Sequence, residues 1–77
     1  MTTIEILRMA YPDDKWSFVQ RMSGTTYSAT IGTLDVSLNQ HKEGGWTVQT
    51  GFGGRILGVG KSATEAVDNA RRVVLRQ

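Results

Sequence analysis

Between Val59 and Ala63 the apolar period of this chain changes from two residues to three or four. Before that point, Trp16, Phe18 and Met22 share one phase. Tyr27, Ala29 and Ile31 hold odd positions, Leu34, Val36 and Leu38 hold even ones, and Trp46, Val48 and Phe52 resume the same period. Such alternation is the pattern of a half-buried strand. After it, Ala63, Ala66, Val67, Ala70, Val73 and Val74 recur at helical spacing, the stripe by which an amphipathic helix lies on a neighbouring layer. Ser62 followed three residues later by Glu65 reads as a capping box. A helix is therefore predicted over about 63–75, with alanines small enough to let it lie close to a sheet.

Strands followed by one helix define an α+β class: an antiparallel sheet of four to five strands with a C-terminal helix packed on one face. The 77 residues make a single domain, 1–77, with no cysteine to staple it or to bind a metal. The change of phase at Gly32-Thr33 predicts a β-bulge inside one long strand over about 26–39, a tight turn being the alternative. Gly53-Gly54 predicts a two-residue hairpin with positive φ at both centres. Residues 2–10 fit two elements. Thr2 and Glu5 fit a capped helix, whereas Ile4 and Ile6 fit a strand, and the β-rich Ile-Glu-Ile favours the strand. Tyr11-Pro12-Asp13-Asp14 reads as a turn. The sheet face away from the helix is predicted to carry Ser17, Val19, Arg21, Ser28, Thr30, Asp35, Ser37, Thr47 and Gln49, a polar, solvated surface. Two tryptophans are many for so small a core, so one of them is expected to be partly exposed.

The glycine-rich stretch resembles nucleotide-binding motifs only at first sight. Gly60-Lys61-Ser62 ends like a phosphate-binding loop, but the position of the first glycine is Arg55 and the residues between are strand formers. Gly58-x-Gly60-x-x-Ala63 lacks the second parallel strand and its acidic residue. What survives is the chance that amides at the helix start, beside Lys61, hold an anion. His41 is the sole histidine, and Asp13-Asp14 are turn formers. No catalytic constellation emerges and no cofactor or metal is expected.

The net charge of +2 is unevenly spread. Residues 1–50 hold four Lys/Arg against five Asp/Glu, a net of −1, and residues 51–77 hold five against two, a net of +3. The expected partner-binding residues are therefore exposed ones: Arg21; His41, Lys42 and Glu43 of a polar loop; Arg55 and Lys61; and Arg71, Arg72 and Arg76 of the helix. The reading that follows is a non-enzymatic module that binds a protein, as monomer or homodimer, with nucleic acid the alternative partner for the same cations. No apolar run has the length of a membrane span.

Gly60-Lys61-Ser62-Ala63-Thr64-Glu65-Ala66-Val67-Asp68-Asn69-Ala70-Arg71 resembles the strand-to-helix step of HicB-type antitoxins, which often read Gly-x-Ser/Thr-x-x-Glu-Ala-x-x-Asn-Ala. That resemblance implies a toxin-masking role. In size and kind the chain also resembles the anti-CRISPR proteins and other small proteins that phages and mobile elements direct against host defences. This second resemblance implies a stoichiometric inhibitor that occludes a functional surface of a larger protein or ribonucleoprotein complex, in the cytoplasm of a bacterial host.

Overall fold

The computed structural model describes residues 1–51 and 53–76. Among them the chain forms helix α1 (Thr3–Ala10), a 3-10 turn at Pro12–Asp14, strands β1 (Ser17–Arg21), β2 (Gly24–Ile31), β3 (Leu34–Gln40), β4 (Trp46–Thr50) and β5 (Ile56–Gly60), and helix α2 (Ala63–Val74). The strands pair antiparallel in the order β1-β2-β3-β4-β5, so each lies beside its neighbour in sequence. The α+β class, the antiparallel sheet and the C-terminal helix agree with the sequence reading.

Three local expectations are corrected. The phase slip at Gly32-Thr33 is a turn, not a bulge: Ile31 pairs with Leu34, and Gly32 takes φ 64° at the first centre of a two-residue loop. That is the position a type II′ turn reserves for glycine. The β4–β5 hairpin is longer than two residues. It runs over 51–55, closed by Thr50 N–H to Arg55 C=O at 2.9 Å, with positive φ at Gly51 and Gly53 and not at Gly54. The expected core position of Phe52 lies outside the described residues. The bulge sits in β5: Val48 pairs with Gly58 and Gln49 with Ile56, so Leu57 is the extra residue and enters the core.

The third correction is at the N-terminus, where helix prevails over strand. Thr2 and Glu5 bond reciprocally, and the Thr2 hydroxyl, then its backbone N–H, hold the Glu5 carboxyl below its usual range. The cap satisfies donors that a short helix otherwise leaves open, and Leu7 anchors α1 in the core. At α2 the box is incomplete. Ser62 accepts from Glu65 N–H at 3.1 Å, but the Glu65 carboxylate turns to the N–H of Lys61 at 3.4 Å.

Both helices contribute to one core with the inner sheet face: Leu7, Trp16, Ala29, Ile31, Val36, Leu38, Trp46, Val48 and Leu57 pack with Ala63, Ala66, Val67 and Ala70. Both tryptophans are buried, contrary to expectation; among the described residues the aromatic that remains half-exposed is Phe18. Val73, expected on the apolar face, is exposed. α2 approaches β5 closely because Gly58 and Gly60 have no side chains. A Cβ on Gly58 would lie 2.5 Å from Ala66 O and from Ala70 N, and one on Gly60 would lie 2.5 Å from Ala66 N.

Candidate functional site

Both helices lie on the inner face, and among the described residues no helix or strand packs on the outer face of the sheet. Cross-strand register arranges it in rows. One row is Ser17, Ser28, Ser37, Gln49 and Ile56; the next is Val19, Thr26, Asn39, Thr47 and Val59. Thr30 and Asp35 pair beyond the first row. The two long rows hold no charged residue, although 21% of the chain is charged.

The hydroxyls on this face are already engaged. Ser17 and Ser28 Oγ lie 3.1 Å apart, Thr26 Oγ1 donates to Asn39 Oδ1 at 2.9 Å, and Thr30 Oγ1 donates to Asp35 Oδ1 at 2.9 Å. Ser37 Oγ donates to the C=O of Gly51, and Thr47 Oγ1 bonds Nε2 of His41. Ser37 and Thr47 are buried among their neighbours. A polar group covered by a partner is costly when its hydrogen bond is lost. Here covering leaves the paired donors paired, and short side chains have little rotamer entropy to lose.

A basic row bounds one end of the face. Arg21 pairs with Gly24. The β2–β3 register, carried two steps past Thr26↔Asn39, sets Gly24 beside His41. His41 N–H donates to Gly45 C=O at 2.7 Å, and the β4–β5 register carried past Trp46↔Gly60 sets Gly45 beside Lys61. Arg21, His41 and Lys61 thus occupy alternate strands of one row, each about 10 Å from the next at two strand spacings, with glycines between. A Cβ on Gly45 would lie 3.9 Å from His41 Cδ2. Gly24 and His41 of this row line a cleft of about 540 Å³, together with Thr3, Ser23, Thr25, Gln40 and Lys42 among others.

The nine residues expected to bind a partner fall into three places. Arg21, His41, Lys42, Glu43 and Lys61 gather at this end, Lys42 and Glu43 at the exposed tip of the β3–β4 loop. Arg55 stands at the opposite end, in the β4–β5 loop. Arg71, Arg72 and Arg76 belong to the helix layer, beside a shallow groove that also includes Asp68 and Leu75. Arg71 has a structural task. It forms an ion pair with the buried Asp14, and its guanidinium lies 5.3 Å from the centre of the Tyr11 ring. Tyr11 in turn donates to Asp68 Oδ1 at 2.6 Å, and burial first, then that carboxylate, push the Tyr11 phenol above its usual range.

The sequence reading missed Thr26, Asn39, Val59 and Ile56 on the outer face. The signal for the first two was the even parity of Thr26 with Ser28 and the odd parity of Asn39 with Ser37; Ile56 was hidden by the bulge at Leu57. Among the described residues no group of three His, Cys, Asp or Glu side chains converges, and no helix is long and apolar enough to cross a membrane. No protein-family model, curated protein or solved structure matches the chain.

Proposed function

We propose that the protein is a non-enzymatic binding module whose outer sheet face covers the surface of a protein partner, acting stoichiometrically by occlusion. The observation that carries this reading is the charge-free pair of rows whose hydroxyls are satisfied within the face. Depletion of charge at the centre, with charge at the margin, is the composition of a protein interface. Four strand spacings by three row spacings make a face about 20 Å on each side, roughly 400 Å², or half of what one partner contributes to a standard interface. The Met22-Ser23 turn and the Lys42–Gly44 loop beside the basic row extend it. Arg21, His41 and Lys61 fit a partner that is acidic along that margin. An inhibitor of a host defence complex is the concrete form of this proposal.

The test is capture from host lysate by tagged protein, with Ser28→Arg/Gln49→Arg on the sheet face compared with Arg72→Glu on α2. The expected result is a stoichiometric partner retained by Arg72→Glu and lost by the sheet-face variant. Retention by the sheet-face variant would reject this face. The basic row also favours a second reading, nucleic-acid binding. That reading requires a mobility shift with DNA or RNA at about 50 mM salt that weakens steeply as salt rises; no shift there removes it.

A further inference from the structure

The two edges of the sheet are finished differently. Antiparallel neighbours bond through alternate residues, and the His41–Gly45 bond fixes which ones. By that alternation Trp46 and Val48 bond Gly60 and Gly58, and Val59 turns its N–H and C=O away from β4. α2 closes this edge: Asn69 Nδ2 donates to Val59 C=O at 2.8 Å, and Glu65 accepts from the next outward N–H, that of Lys61.

On β1 the same alternation bonds Ser17, Val19 and Arg21 to β2 and turns Phe18 and Gln20 outward. Arg8 Nε takes the C=O of Trp16 at 3.0 Å, just ahead of the strand. Among the described residues no neighbouring strand or helix reaches the outward groups of Phe18 and Gln20. All five residues of β1 are exposed, Phe18 by 45% and Val19 by 51%. The strand contains no proline, and its one charge is at its end. An edge of this kind is a template for another strand.

We propose that β1 pairs antiparallel with β1 of a second copy, about a two-fold axis at Val19. In this register Phe18 and Gln20 of one copy exchange N–H···O=C bonds with Gln20 and Phe18 of the other. The four bonds use every outward group of the strand. Val19 meets its own counterpart in the closer, non-hydrogen-bonded type of pair, where β-branched side chains pack well. Arg21 lies opposite Ser17 of the second copy, so the strand's one charge avoids its like. The contact is isologous and closed. It joins the two outer faces into one ten-stranded surface, about twice the area of a single face. A five-residue strand is only about 17 Å long, so the dimer is one of high protein concentration.

The chain has no cysteine, which makes single-cysteine trapping clean. Side chains in such a pair lie close enough for a disulfide. Under mild oxidation of the 77-residue chain, Val19→Cys should become a covalent dimer, whereas Val59→Cys, on the same face and 55% exposed, should stay monomeric. In sedimentation equilibrium at high concentration, Val19→Lys and Val19→Glu should each be monomeric, and an equimolar mixture should restore the dimer. Circular dichroism establishes that each variant is folded. The inference is overturned if wild-type protein stays monomeric at its highest soluble concentration and Val19→Cys crosslinks no faster than Val59→Cys. Capture of a foreign strand by a chain that itself stays monomeric overturns it as well.

Discussion

Replacing Gly58 by alanine asks α2 to leave its place on the sheet. The added Cβ would stand 2.5 Å from Ala66 O and 2.5 Å from Ala70 N, against an ordinary carbon–oxygen approach of about 3.4 Å. Both opposing atoms are backbone, so no rotamer change relieves the contact; the helix must lift by about 1 Å. A gap of that size forfeits a quarter to a half of the dispersion energy along the seam, where Ala66, Val67 and Ala70 are fully buried. Overpacking of this kind costs about 1–3 kcal/mol and occasionally more. Because the obstacle is backbone, about 3–4 kcal/mol is expected, less about 0.5–1 kcal/mol regained from the lower entropy of alanine in the unfolded chain. A net loss of about 2–3.5 kcal/mol lowers the Tm of a domain this size by roughly 10–25 °C. Thermal unfolding followed by circular dichroism measures it. Gly45→Ala is the control, since its Cβ would meet atoms only at 3.8 and 3.9 Å, and its Tm should move by no more than a few degrees. Ala66→Gly should not rescue Gly58→Ala, because it leaves the carbonyl in place. A Tm for Gly58→Ala within a few degrees of wild type would refute the close seam.

Other outcomes follow from the same geometry. Ser62→Ala removes the side-chain acceptor of Glu65 N–H and should lower stability by about 1 kcal/mol in urea unfolding, with an unchanged m-value. Arg71→Ala leaves the buried Asp14 carboxylate without its cation. The full cost of breaking a buried pair is about 3–5 kcal/mol, but the Arg71 side chain is 32% exposed, and water reduces the loss to about 1–3 kcal/mol. Arg71→Ala/Asp14→Ala should then lose less than the sum of the single variants. The Tyr11 phenol binds its proton more tightly in the folded chain. Its contribution is whole below the unfolded phenol value of about 10 and is lost as pH rises beyond it. Stability should therefore fall above about pH 10 in wild type and fall less in Tyr11→Phe, as urea midpoints across that range would record.

What was legible in the sequence was the periodicity, and with it the class, the strand content and the capped C-terminal helix. The composition of the outer face followed, because parity alone assigns Ser17, Ser28, Ser37 and Thr47 to one side. What escaped depended on contacts between distant segments. The slip at Gly32-Thr33 is the same in sequence whether the chain inserts one residue or turns back. Only the pairing of Ile31 with Leu34 distinguishes the two. At residues 2–10 the cap signal and the β-rich triplet competed, and burial of Leu7 decided for helix. Arg71 read as an exposed cation because nothing in its neighbourhood names Asp14, 57 positions away. The row of Arg21, His41 and Lys61 needs three registers at once, which no local pattern encodes.

The meander order of the sheet also keeps its strand pairings local in the chain. Each of the four ladders joins strands adjacent along the chain, so each can close over a short loop as soon as its two segments exist, at small entropic cost. α2 is the exception in timing, since its seam on Gly58 and Gly60 becomes available only when the C-terminal segment has been synthesised. Until then a nascent sheet presents Ile31, Leu38 and Val48 to whatever is nearby. A chain stalled before Ala63 should thus be a substrate for chaperones, and docking of α2 on the sheet is the step that ends that exposure.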